Sequence, residues 1–207
     1  VLDLWFEKCI KKQLYGKAYL IRFADDFLIM FQYERDAQRV YEAVIKRMEL
    51  FGLELSKEKT RILPFGRNCG TRETFDFLGF THFNSKTRKG YYSVGHKISR
   101  KKKKQFKSNL KKWVKENRDK QFDEFMKKLN KKLTGSFNYY SLSGMIREVR
   151  SLWIHSLYVT FKWMNRRSQR RSFKLERFYE IWHERIIHPY IHVDIWSGDK
   201  VIYNKKV

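Results

Sequence analysis

A change of hydrophobic period divides this chain at Ser99. Before it, apolar residues come in short aromatic-rich runs separated by turn formers; after it, they recur every three or four positions as far as Pro189. The first pattern builds strands and the second amphipathic helices, so an α+β chain is expected, with its sheet first and its helices after. Tyr19-Leu20-Ile21-Arg22-Phe23 and Phe27-Leu28-Ile29-Met30-Phe31 flank Ala24-Asp25-Asp26, which predicts a hairpin with an acidic pair at its tip. Around it, helices are predicted over residues 2–15, with Leu2, Phe6, Cys9, Ile10 and Leu14 near one side, and from Asp36 to a stop at Gly52. Leu53–Leu55 and Thr60–Leu63 read as short extended segments, and Phe75–Phe83 and Tyr91–Val94 as a second hairpin about Asn84–Gly90. Beyond Ser99, a good N-cap, four helical stripes follow. They run from Phe106 to Val114, from Phe122 to Leu133 with an end at Gly135, from Leu142 to Met164, and from Leu175 to Ile186.

Charge follows the same division. Residues 1–95 hold 17 basic and 12 acidic side chains, whereas residues 96–207 hold 29 and 10, for a net +24 over 207 residues. Lys101, Lys102, Lys103 and Lys104, continued by Lys107, Lys111, Lys112 and Lys115, form the densest run, and Arg166-Arg167-Ser168-Gln169-Arg170-Arg171 a later one. An excess of this size on one half points to a polyanion, and nucleic acid is favoured over a merely solvated helix face. With 42% hydrophobic residues the chain has enough apolar matter for a core. No apolar run reaches the roughly 18–20 residues of a membrane span, and Val1–Lys8 lacks the layout of a signal peptide, so a cytoplasmic protein with no membrane partner is expected. Cys9 and Cys69 suggest neither a disulfide framework nor a zinc ribbon. The tryptophans Trp153 and Trp163 read as helix packing rather than base-stacking platforms.

Asp25-Asp26 is the chemically informative pair. Adjacent carboxylates repel unless a cation neutralises them, and hard divalent ions favour oxygen ligands. An ordinary acidic turn is the alternative, since aspartate is common in turns.

The surroundings of the pair go further. Phe23-Ala24-Asp25-Asp26 resembles the Tyr-Ala-Asp-Asp box of reverse transcriptases, with Phe in place of Tyr. Phe51-Gly52-Leu53-Glu54-Leu55-Ser56 with Lys59-Thr60-Arg61, then Phe65-Gly66-Arg67 and Phe75-Asp76-Phe77-Leu78-Gly79-Phe80, are similar in order and distance to group II intron-encoded reverse transcriptase/maturase proteins. Leu133-Thr134-Gly135-Ser136-Phe137-Asn138-Tyr139-Tyr140 and Asn165-Arg166-Arg167-Ser168 are similar to the thumb or maturase region of that family.

The resemblance implies a partial polymerase palm, an antiparallel sheet with packed helices, over residues 1–95. An all-helical thumb/maturase domain over 96–188 and a C-terminal tail over 189–207 would follow. It implies Asp25 and Asp26 as catalytic residues and Mg²⁺ ligands, with strand-borne Asp25 the more direct of the two and Asp26 supporting. Gly79 would be a primer-end contact, and Lys101, Lys102, Lys103, Lys104, Arg166 and Arg167 would bind nucleic acid. Lys59 is a candidate neighbour of the nucleotide phosphates, with a solvated turn lysine as the alternative. The implied function is RNA-directed DNA polymerisation by two-metal nucleotidyl transfer with intron RNA binding; the alternative is a non-catalytic RNA-binding maturase module that assists splicing. The partners would be intron RNA, an RNA template, a DNA primer and a complementary N-terminal polypeptide. Family members carry fingers, a Pro-Gln-Gly box and a palm strand with another catalytic Asp ahead of a segment like Val1–Trp5. The metal site is therefore expected to be completed by an upstream Asp, and the isolated chain to be inactive. No Cys/His constellation of a zinc-binding endonuclease domain follows Pro189.

Overall fold

A computed structural model describes residues 2–56, 58–167, 172–191 and 193–194. The fold is α+β: two small antiparallel sheets and, among the described residues, six α-helices, with the C-terminal part helical. In chain order the elements are α1 (Leu2–Trp5), β1 (Ala18–Phe23), β2 (Asp26–Phe31), α2 (Glu34–Glu49), β3 (Thr74–Phe77), β4 (Phe80–Lys86) and β5 (Tyr92–Ile98). The helices α3 (Arg100–Asn117), α4 (Phe122–Tyr140), α5 (Ile146–Met164) and α6 (Leu175–Arg185) follow. The sheets are β1-β2 and β3-β4-β5. The chain divides into two compact units, Val1–Leu78 with His82–Val94, and Gly79–Thr81 with the described residues from Gly95 onward.

In the first unit the β1-β2 register pairs Ala18 with Phe31, Leu20 with Ile29 and Arg22 with Phe27. Alternation then puts Ala18, Leu20, Phe27, Ile29 and Phe31 on one face, where they pack with buried Phe6, Val40 and Val44. The opposite face carries Tyr19, Ile21, Phe23 and Met30, all exposed. The N-terminal helix does not keep a 3.6 period. After α1 it widens to a π turn over Phe6–Ile10 and tightens to a 3-10 turn over Lys11–Gln13. Widening rotates the stripe, so Phe6 is buried while Cys9, expected on the same side, is exposed. Buried Asp36 accepts hydrogen bonds from the Tyr15 and Gly16 backbone N–H groups at 3.3 and 3.0 Å, which locks the chain reversal into β1. At Gly16 a Cβ would lie 2.6 Å from the Tyr33 ring, so no larger residue fits that reversal undisturbed.

α2 ends as expected. Gly52 takes a left-handed φ of 67° and the Leu53 N–H returns to the Met48 carbonyl at 3.0 Å. Leu53–Leu55 and Thr60–Leu63, expected to be extended, are irregular rather than strands; no ladder pairs them among the described residues. Phe75–Phe83 is not one strand, because Leu78 (φ 50°) and Gly79 (φ 82°) both turn left-handed and fold β3 onto β4 through a two-residue loop.

The second unit is a helical bundle around Leu110, Val114, Phe125, Leu129, Leu133, Val149, Leu152, Phe178 and Trp182, all buried. The Ser99 hydroxyl caps α3 by accepting from the Lys102 N–H at 3.4 Å. Gly135 does not end α4, which continues to Tyr140. A glycine costs only ~1 kcal/mol in a helix interior, and burial of Phe137, one turn beyond Leu133, outweighs that. Leu142 precedes α5 rather than opening it, in a turn where the Ser143 N–H donates to the Val193 carbonyl at 2.9 Å. Asn130 and Trp153 hold Ile187 from both sides of its backbone, the Asn130 Oδ1 accepting its N–H at 2.9 Å and the Trp153 Nε1 donating to its carbonyl at 3.0 Å. Among the described residues no helix is long and apolar enough to cross a membrane.

Candidate active site and nucleic-acid interface

The β1-β2 connection is as short as a hairpin allows. Phe23 pairs with Asp26, leaving Ala24 and Asp25 as a two-residue loop whose first position has a φ of 51°. Left-handed backbone at alanine is strained. Register corrects the expected placement of the pair: Asp25, expected on a strand, stands in the loop, whereas Asp26 is the first residue of a strand, cross-strand from Phe23. Both side chains are exposed.

Arg22 holds this apex. Its Nε and Nη2 donate to the Asp3 carboxylate at 2.9 and 2.6 Å, while Nη1 donates to the Ala24 carbonyl at 3.1 Å. The guanidinium thus ties the loop to α1. Hydrogen bonding to Arg22 holds the Asp3 carboxyl below its ordinary range, and Asp3, with a smaller contribution from the charge of Asp25, raises Arg22. Neither Asp3 nor Arg22 was a candidate from sequence; the available signal was an arginine in an otherwise apolar strand.

The donor set at the apex suits a hard divalent cation, since carboxylate oxygens are the ligands Mg²⁺ prefers and one or two with water and phosphate suffice to hold it. It is an incomplete cage: among the described residues no cluster of three or more His, Cys, Asp or Glu side chains gathers. Lys59 is exposed on a turn closed by its own N–H to the Ser56 carbonyl at 3.1 Å. No hydrogen bond or ion pair among the described residues links it to Asp25 or Asp26.

In the second unit Gly79 and the lysine run come together. A Cβ on Gly79 would lie 3.4 Å from the Lys102 Cγ and 3.6 Å from the Tyr140 hydroxyl, and the Gly79 carbonyl accepts from the Ser99 N–H at 3.0 Å. Burial raises the Tyr140 hydroxyl above the usual tyrosine range, so it stays protonated at neutral pH. Lys102 also opens a groove of about 380 Å³ between α3 and α4, lined by Asn109, Lys132, Gly135 and Ser136 among others. Lys101 and Lys104 are exposed, but Lys103 is half-buried and engaged, 2.6 Å from the Glu148 carboxylate. Arg166 is exposed beside Trp163, and Arg167 donates to the Met164 carbonyl at 3.3 Å. Ser168, Gln169, Arg170 and Arg171 of the second basic run, His192, and most of the expected tail lie outside the described residues.

Comparison with known families gives this arrangement its class. Residues 2–82 match the family described as reverse transcriptase (RNA-dependent DNA polymerase), the match containing the whole acidic hairpin. Residues 103–180 match the group II intron, maturase-specific domain, which takes in α4, α5 and most of α3. Carrying both in this order, the chain belongs to the group II intron-encoded reverse transcriptase/maturase family. No curated protein sequence matches the chain.

Proposed function

We propose that this chain supplies the catalytic hairpin and the RNA-gripping helices of an RNA-directed DNA polymerase serving a group II intron. The reaction is transfer of a nucleotide: the primer 3′ hydroxyl attacks the α-phosphate of a deoxynucleoside triphosphate, a new phosphodiester forms, and pyrophosphate leaves. Exposed Asp25 and Asp26 at a two-residue apex, with the loop carbonyl clamped by Arg22, are the observation that carries the reading. A carboxylate pair serves this chemistry only when its scaffold is stiff, because charge develops on oxygens whose positions must not relax.

Asp25 and Asp26 would hold Mg²⁺, with a further acid from outside these 207 residues. Bound there, the metal supplies Lewis acidity toward the primer hydroxyl and the departing phosphate oxygens. Within the chain, residues 1–95 act as the palm portion, 96–188 as thumb and maturase, and 189–207 as a tail. Gly79 lets a primer backbone approach closely beside Lys102. Lys101, Lys104 and Arg166 neutralise RNA phosphates, and Arg167 and Lys103 contribute from positions already tied to the bundle. Lys59 meets the nucleotide phosphates.

The test is primer extension on an RNA template with Mg²⁺, with the chain supplemented by an upstream palm segment. Asp25→Asn with Asp26→Asn should abolish extension and leave RNA affinity within about twofold of the parent. Failure of the unaltered pair of polypeptides to extend any primer would leave the non-catalytic splicing module as the reading.

A further inference from the structure

Three cations of the helical unit converge on one indole. Lys115 Nζ lies 5.7 Å from the centroid of the Trp163 ring, and the Arg118 and Arg166 guanidinium carbons lie 5.5 Å from it. Lys115 is in the last turn of α3, Arg118 is its C-cap, and Arg166 stands just beyond α5, so two helix ends deliver charge to one place. An aromatic face attracts a cation through its quadrupole, but it does not neutralise one. Among the described residues the carboxylate paired with this cluster is Asp119, at 3.8 Å from the Arg118 Nε and largely exposed. Neither Lys115 nor Arg166 makes an ion pair with a described residue. The Arg118 Nε is shielded from water and has no hydrogen-bond acceptor.

The cluster is also held in place. The Asn165 side chain brackets Phe173, its Oδ1 accepting the Phe173 N–H at 2.8 Å and its Nδ2 donating to the Phe173 carbonyl at 3.1 Å. That clamp fixes the stem from which Arg166 projects, and Trp163 itself packs against the bundle core. Like charges assembled on a rigid, half-buried platform repel one another unless an anion completes the group. A guanidinium stacked on an aromatic ring keeps its N–H edge free for phosphate oxygens.

We propose that Lys115, Arg118 and Arg166, gathered round Trp163, form a phosphodiester-binding site for RNA at the C-terminal end of α3, whereas Lys101–Lys104 and the Gly79 contact of Lys102 lie at its N-terminal end. The inference rests on the RNA-binding part of the proposed function and adds two residues, Lys115 and Arg118, and a platform, Trp163, to it. Trp163 acts as a positioning residue: it holds the cations and touches no base.

The experiment measures affinity of the full chain for a 20-base-pair RNA hairpin across a salt series. Lys115→Gln with Arg118→Gln and Arg166→Gln should weaken binding at least about tenfold near physiological salt. The slope of log K against log salt should flatten by about 2 to 3, close to one unit for each phosphate no longer neutralised. Trp163→Leu keeps every charge and should cost about two- to fivefold with a smaller change of slope. Circular dichroism establishes that each variant is folded; if the triple variant is not, Arg166→Gln alone, at an exposed position, should still remove about one unit of slope. An unchanged slope in the folded variants, while Gln at Lys101, Lys102 and Lys104 flattens it, overturns this site and spares the RNA-binding reading. No flattening in either set overturns both. Loss of binding to phosphatidylserine vesicles with RNA affinity intact would reassign the cluster to a lipid surface and overturn the proposal.

Discussion

The two units of this chain use their apolar residues in opposite ways. The helical unit buries them: Phe125, Leu129, Leu133, Leu152, Phe178 and Trp182 are wholly enclosed, and its charge is carried outside. The hairpin unit encloses only Phe6, Ala18, Val40 and Val44 in its core cluster and leaves Tyr19, Ile21, Phe23 and Met30 exposed on one face of a two-stranded sheet. A lone hairpin is marginal in water, and its stability must come from what it packs on. The bundle therefore makes a self-supporting scaffold for cations. The acidic apex depends on a thin core and on a few polar ties, Asp36 to the β1 entry and Arg22 to the Ala24 carbonyl.

Truncating the two cores should expose that difference most strongly. Phe178→Ala removes a fully buried ring that touches Phe161, Phe173 and Trp182, and should cost the helical unit about 3–5 kcal/mol. Val44→Ala, in the hairpin unit, removes less surface and should cost about 1–3 kcal/mol. Hydrogen exchange followed segment by segment checks both. Each variant should accelerate exchange chiefly within its own unit. If Phe178→Ala unprotects β1 and β2 as fully as it unprotects α4 and α5, the units unfold together and the contrast is false.

The next effect isolates the polar ties. Asp36→Ala leaves the Tyr15 and Gly16 N–H groups without their acceptor, which should cost about 1–2 kcal/mol confined to the hairpin unit. Asp36→Asn retains a carbonyl oxygen and should recover part of it. Equal melting of the two variants would mean that the tie contributes through charge rather than through hydrogen bonding.

The same contrast separates what the sequence reveals from what it conceals. Period alone places α3, α4, α5 and α6, because long stripes such as Phe122 to Leu133 repeat often enough to outweigh a local breaker. Gly135 reads as a stop, yet Phe137 continues the buried face and the helix runs through it. The hairpin unit is harder. Ala24 and Leu78 adopt positive φ without being glycine or asparagine, and no composition rule marks them. The β1-β2 apex is legible because two apolar runs flank a pair of acids; the register, which puts Asp26 in the strand and Asp25 in the loop, is not, because either acid could close a tight turn. The Trp163 cluster was hidden for a different reason: Lys115 and Arg118, one turn apart at the end of α3, meet Arg166 only through the packing of α3 against α5, so the tryptophan read as core. Arg22 was hidden by belonging to a run that read as apolar.

The smallest effect concerns pH and falls on the helical unit alone. Burial holds His96, His155 and His183 below the ordinary histidine range, with Lys107 adding to the effect at His155 and His188 adding to it at His183, whose Nδ1 lies 3.1 Å from the His188 Nε2. Folded, these rings stay neutral at a pH where the unfolded chain already takes up protons. Stability therefore rises with pH through the unfolded histidine value of ~6.5 and is lost on acidification below it. Asp3 and Glu124 shift the other way, lowered first by hydrogen bonds to Arg22 and Lys128, so their contributions persist to more acid conditions and fade only below the ordinary carboxylate range. Between about pH 7.5 and 5.5 the contribution of these three rings moves, and all three belong to the helical unit. Its melting temperature should fall over that interval by a few degrees, as followed by tryptophan fluorescence, while exchange protection in β1 and β2 holds steady. His183→Gln should flatten the dependence partly, since it removes one of the three rings. A dependence equally steep in His183→Gln, or a larger acid loss in the hairpin unit, would show that the thin core rather than the buried rings sets the response to pH.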